Sequence, residues 1–111
     1  MSLSVVTKEL QRRYPSLLRS SIVEAIRRRL AEAREELRGV EAELEKLRRR
    51  YGMGLEEFEK SMDDSFKAHE AWIEWRFLYE AKKSLEEEID ELRQLLRKAL
   101  GETPGHSSED R

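Results

Sequence analysis

Residues 48–66, RRRYGMGLEEFEKSMDDSF, decide how this chain folds. Arg48, Arg49 and Arg50 place cations at what would be the negative end of a helix dipole, and Gly52 is a residue free to adopt the left-handed conformation. A helix therefore ends near Tyr51. Asp63 and Asp64 supply N-cap oxygens and negative charge just before Ser65 and Phe66, so another helix starts there. Between the two, Leu55, Glu56, Glu57 and Phe58 fit one or two helical turns that Gly54 caps poorly.

Upstream of this stretch, apolar residues recur at Ile22, Ile26, Leu30, Ala33, Leu37, Val40, Leu44, Leu47 and Tyr51, and from Ile26 the steps alternate four and three. Downstream they run Ala68, Ala71, Trp75, Leu78, Lys82, Leu85, Ile89, Leu92, Leu96 and Ala99, with one polar intruder, and stop at Gly101. Each series is a coiled-coil seam. The upstream helix has two possible starts: Pro15 suits a first helical position, and Ser21 with Glu24 forms a capping box one turn later. The downstream helix spans some 35 residues, about 50 Å at 1.5 Å per residue.

The fold class expected is all-α: an antiparallel two-helix coiled-coil hairpin, helix 16–51, connector 52–64 and helix 65–100. Pairing Tyr51 with Ala68, Leu44 with Trp75, Leu37 with Lys82 and Leu30 with Ile89 keeps the seams facing. This register also brings Arg27, Arg28 and Arg29 toward Glu86, Glu87, Glu88, Asp90 and Glu91, pairs worth about 0 to 1 kcal/mol each when exposed. Residues 1–14 read as a short amphipathic helix through Leu3, Val6 and Leu10, ended by Tyr14 before Pro15. Residues 101–111, GETPGHSSEDR, have no apolar anchor and are expected to be a disordered tail.

Composition narrows the function. The chain has 111 residues, 38% apolar and 41% charged, which leaves room for one small domain. Its only prolines are Pro15 and Pro104, so no proline stops a helix from Ser16 to Gly101, which excludes most turn-rich β architectures. There is no cysteine, hence no disulfide, thiolate metal site or cysteine nucleophile. No apolar run approaches the roughly 20 residues of a membrane span, and a cytoplasmic protein without membrane contact is expected. The formal charge of −2 hides an asymmetry: residues 1–51 carry 13 Lys or Arg against 8 Glu, and 52–111 carry 9 against 16 acidic residues. Halves that fold back on each other largely cancel, so the balance says little about a charged partner.

Catalysis needs polar groups converging in a sheltered pocket, and a hairpin offers no obvious one, so no enzyme, metal site or cofactor is expected. His69 and His106 are the only histidines, and the segment from His69 lacks the second histidine of a zinc site. Arg12, Arg13, Arg19, Arg27, Arg28 and Arg29 could attract phosphate, yet three consecutive arginines spread over about 200° of a helix. No nucleic-acid reader motif accompanies them, and direct nucleic-acid binding is the lesser reading.

Tyr51, Phe58, Phe66, Trp72, Trp75, Phe77 and Tyr79 place seven of the eight aromatic residues where the hairpin bends. Packing is the favoured role for Trp75 and Phe58; for Trp72, Phe77 and Tyr79, packing and partner contact stand open. A single seam leaves Leu17, Leu18, Val23, Trp72, Ile73, Phe77, Tyr79 and Leu95 uncovered. The fold therefore calls for completion by a second copy or by a different protein.

Arg50, Tyr51, Gly52, Met53, Gly54, Leu55, Glu56, Glu57, Phe58 and Glu59, followed by Glu74, Trp75 and a leucine-rich helix, resemble small antitoxin-like proteins of archaeal and bacterial toxin-antitoxin operons. Arg13, Tyr14 and Pro15 before an Ile/Arg-rich helix look like the same group, and the likeness spans residues 8–96. The chain departs from the family pattern at Gly54, where serine is usual, and at Arg50, where lysine is. The resemblance implies a non-catalytic antitoxin that sterically blocks a toxin encoded by a neighbouring gene. Partner-binding residues would then be Tyr51, Phe58, Trp72, Trp75, Phe77 and Tyr79 as apolar anchors, with Glu70, Glu74 or Glu80 meeting cations. Abundant Glu and Arg with no cysteine fits a thermophilic source. The alternatives are a homo-oligomeric structural or chaperone-like coiled-coil module and, behind it, a nucleic-acid binder.

Overall fold

The computed structural model describes residues 2–101. Met1 and residues 102–111 lie outside it, and with them nearly all of the expected tail, including His106. Among the described residues the chain is all-α: α1 (Leu3–Arg13), α2 (Pro15–Tyr51), α3 (Leu55–Ser61) and α4 (Phe66–Ala99). Helices take up 89% of it, with no strand among the described residues. No helix there is long and apolar enough to cross a membrane.

The ends of the helices follow local chemistry. Ser2 caps α1, its hydroxyl accepting from the Val5 N–H at 3.2 Å. Tyr14 (φ −137°, ψ 60°) is the one residue between α1 and α2. Its ring takes the Arg13 guanidinium 5.8 Å from the centroid. Of the two starts open to α2, the chain uses Pro15, whose missing N–H is no loss at a first helical position. Ser21 and Glu24 lie well inside that helix. Its last turn holds Arg48, Arg49 and Arg50, and Gly52 at φ +69° donates back to the Arg48 carbonyl at 2.8 Å.

The start of α4 departs from expectation. The capping oxygen is that of Ser65, which accepts from Ala68 N–H at 3.1 Å, whereas the Asp63 carboxylate accepts from the Ser65 N–H at 2.8 Å. Asp63 shapes the turn into the cap instead of being the cap. At the far end, Gly101 stands at φ +90° and donates to Lys98 O at 3.0 Å.

The chain divides into two compact units. In one, whose described residues are 2–32 and 89–101, Val23 and Leu30 are buried and Ile26, Ile89, Leu92, Leu96 and Ala99 are half-buried. Here the upstream seam needs correcting. Val23, expected to be uncovered, is 8% exposed, and Ile22, expected in the seam, is 41% exposed. Starting from Val23 makes the steps alternate three and four from the first residue, and that is the series the helix buries. Leu18 is half-buried, while Leu17 and Leu95 are exposed. Arg28 and Arg29 reach Glu24 and Glu32 on their own helix, at 3.7 and 3.5 Å.

The other unit, Ala33–Glu88, holds the main core: Leu47 from α2, Phe58 from α3, and Ala71 and Trp75 from α4. Leu44, Tyr51, Met53, Leu55, Met62, Ala68, Trp72 and Leu78 pack around it. Trp75 is 1% exposed and is the largest side chain so enclosed.

Candidate functional site

The site grows from the break in the helices at residues 52–65. Gly52 turns the chain, and Gly54 lies at the start of α3 with no side chain to cap it; the Phe58 N–H instead bonds the Gly54 carbonyl at 3.0 Å. One turn of α3 then delivers Phe58 to the core. The Phe58 centroid lies 4.9 Å from Tyr51 and 5.2 Å from Trp75, and Tyr51 and Trp75 are 5.7 Å apart, all tilted. Three rings in mutual contact add about 0.5 to 1.5 kcal/mol per pair beyond the area they bury. Phe58 and Trp75 are buried and engaged in the core, whereas Tyr51 is half-buried and keeps part of its ring open.

Trp72 sits at the edge of this cluster and is half-buried, though expected to be uncovered. Its indole N–H donates to Glu59 Oε2 at 2.7 Å, and the same oxygen lies 3.6 Å from the Arg76 guanidinium. Arg76 in turn lies 5.9 Å from the Trp72 ring centroid. One α3 carboxylate thus holds two side chains of α4, a polar clasp beside the aromatic core.

The remaining expected residues separate onto two sides of α4. At 100° per residue, Phe66, Ile73 and Phe77 fall about 160 to 200° round the helix from Trp75, facing away from the core. They are 76, 59 and 70% exposed. Glu70 and Glu74 are exposed on the same side, and with Arg50, Lys67, Ile73 and Phe77 they border an open hollow of about 820 Å³. Tyr79 lies elsewhere, beside a hollow of about 550 Å³ with Leu55, Glu56, Glu57, Arg76 and Glu80. Of the eight residues expected at the site, Phe77, Glu70 and Glu74 form one exposed group; Phe58 and Trp75 lie in the core; Tyr51 packs on that core and also lines the hollow beside Phe77, Glu70 and Glu74; Trp72 and Tyr79 flank the core. Sequence reasoning passed over Phe66 and Glu59. The steps of seven and four from Phe66 to Ile73 to Phe77 are the signal that could have found the first.

Two carboxyls are perturbed, both by neighbours in sequence. Glu45 is held down at about 2, chiefly by hydrogen bonds from Arg48 and then Arg49, and Arg48 is raised by the same contact. Hydrogen bonds from Ser65 lower Asp63. Both are exposed, structural pairings. Among the described residues no group of three His, Cys, Asp or Glu is placed to hold a metal ion, and His69 is exposed on α4. What the arrangement offers chemically is adhesion: rings and aliphatic carbon in water, bordered by carboxylates. Compared with known proteins, the chain matches no family model, no curated protein and no solved structure.

Proposed function

We propose that this chain is a non-catalytic protein-interaction protein, an antitoxin that binds and neutralises a co-expressed toxin. The observation that carries the reading is the outer face of α4, where Ile73 and Phe77 stand mostly in solvent one turn apart, next to Glu70 and Glu74. Large apolar side chains grouped on the side of a helix that faces away from its core mark an interaction surface. In this reading α2 and α4 are the arms of an antiparallel coiled-coil hairpin closed by α3. The cluster of Leu47, Phe58, Ala71 and Trp75, drawn from all three helices, supports that arrangement, as does the burial of residues at steps of three and four.

The toxin as partner rests on the likeness of residues 50–59 and of Glu74 and Trp75 to antitoxin-like proteins. The mechanism is steric. Ile73 and Phe77 anchor the contact, Glu70 and Glu74 meet cations around the toxin's basic cleft, and Trp75 and Phe58 hold α4 in place from behind.

The test is co-expression with the product of the adjacent reading frame. That product should arrest growth alone, co-purify with this chain and be silenced by it. Phe77→Glu should abolish both effects while leaving the helical circular dichroism unchanged. A neighbouring product that is harmless, or that never associates, would end the antitoxin reading.

A further inference from the structure

We infer that the unit whose described residues are 2–32 and 89–101 binds the phosphate backbone of a duplex nucleic acid, without reading its sequence. The inference is independent of the toxin reading, whose surface belongs to the other unit.

The first observation is how folding redistributes charge. The two halves of the sequence would largely cancel, but the compact units are not those halves. Arg93, Arg97 and Lys98, from the acidic half, join the N-terminal arginines in one unit. Its described residues carry 10 Lys or Arg against 5 Asp or Glu, a net of +5, whereas Ala33–Glu88 carries 11 against 16, a net of −5. Counting residues 102–111, where Arg111 stands against Glu102, Glu109 and Asp110, leaves the first unit at +3.

The second observation is where its carboxylates are engaged. Glu9 pairs with Arg12 and Arg13, Glu24 with Arg28, and Glu32 with Arg29, each on its own helix. Lys8, Arg19, Arg27, Arg93, Arg97 and Lys98 make no ion pair with any described residue.

The third is position, and it rests on the antiparallel arrangement of α2 and α4 proposed above. Arg27 follows the seam residue Ile26, and Arg93 follows Leu92. In antiparallel helices with facing seams, residues one step past the seam in this way stand on the same flank. Opposite charges are the usual pairing there, yet both of these are exposed arginines. The acidic residues one turn before them, Glu24 and Asp90, are bonded to Arg28 and Gln94. Arg97 is one turn beyond Arg93, about 6 Å along the helix and 40° round it.

The occupant follows from the chemistry of these cations. Eight of the ten are arginines, whose planar fork matches phosphate oxygens. They are strung along helices, which suits a ligand carrying one charge about every 1.7 Å of its axis. Tyr14 is the only aromatic among the described residues of the unit, so single-stranded bases have no platform to stack on. Phosphate contacts carry no sequence information, in keeping with the lack of a reader motif.

The experiment uses the full chain and a labelled duplex of about 20 base pairs, as DNA and as RNA, followed by fluorescence anisotropy. Affinity should fall with salt, log K against log salt having a slope of about −0.9 for each phosphate held. Arg27→Gln with Arg93→Gln should make that slope shallower by about 2 and weaken binding about tenfold or more at low salt, with the helical signal intact. Lys60→Gln with Lys83→Gln, the same charge change in the other unit, should leave the slope as it was. The chain has no cysteine, so bridging Arg27→Cys to Arg93→Cys within one chain by a short bismaleimide checks the shared flank. Bridging without binding to either duplex, an equal loss in the Lys60 and Lys83 variant, or tighter binding to single strands or anionic vesicles than to duplex would overturn this inference alone. Failure to bridge would overturn the antiparallel arrangement and this inference with it.

Discussion

Glu59 Oε2 accepts the Trp72 indole N–H at 2.7 Å, across thirteen residues of sequence. This bond, with the Arg76 contact to the same carboxylate, ties α3 to α4 outside the aromatic core. Glu59→Ala should lower stability by about 1 kcal/mol, since the clasp is partly solvated. Glu59→Gln, which keeps an acceptor, should cost less. Thermal melts give the stability, and the Trp72 indole proton shift reports the bond; an unmoved indole resonance in Glu59→Ala would count against it.

Trp75 and Phe77 are two residues apart and should respond in opposite ways. Trp75→Ala empties the centre of the core and should cost about 3 to 5 kcal/mol. Phe77→Ala, on the exposed side, should stay within about 0.5 kcal/mol of the parent. Urea unfolding of the two variants, compared at equal slope, decides the matter.

Gly39 and Gly52 make a second contrasting pair. Gly39 lies inside α2 with nothing within 4 Å of where a Cβ would be, so Gly39→Ala should stabilise the protein by about 0.5 to 1 kcal/mol. Gly52 has equal space but stands at φ +69°, so Gly52→Ala should destabilise it by about 1 to 2 kcal/mol. The midpoint of thermal unfolding should rise for one and fall for the other.

Glu45 should titrate near 2 instead of at the ordinary 4.5, because Arg48 and Arg49 hydrogen-bond its charged form. A depressed folded value means that its contribution to stability is present above the unfolded pKa and is lost as pH falls from about 4.5 through about 2. Carboxyl NMR should show the low midpoint. Arg48→Ala should move it back toward 4.5, and molar salt should move it the same way, since the pair is exposed.

Helix-forming regions were legible because they depend on periodicity and on residues adjacent in sequence. The three-four spacing places Leu30, Ala33, Leu47, Ala71 and Trp75 among the covered residues, and all five are buried. Ile22 and Val23 are apolar neighbours, and choosing between them needed the spacing carried one step further back. Asp63, Asp64 and Ser65 all offer a capping oxygen; which one caps depends on where the backbone enters the helix. The clasp at Glu59 was invisible because it joins residues whose approach is set by the direction of α3, for which the chain carries no local signal. Phe66 read as part of the aromatic cluster by proximity in sequence, yet half a turn of helix phase puts it on the opposite side from Trp75.

The enclosure of Trp75, set against the half-open position of Trp72, gives the protein a built-in optical gauge. These are its only two indoles. One should emit at short wavelength, shielded from collisional quenchers, and the other at longer wavelength, open to iodide and acrylamide. Any ligand that settles over the bend will dim or shift the red component and leave the blue one alone, so occupancy can be followed without attaching a dye.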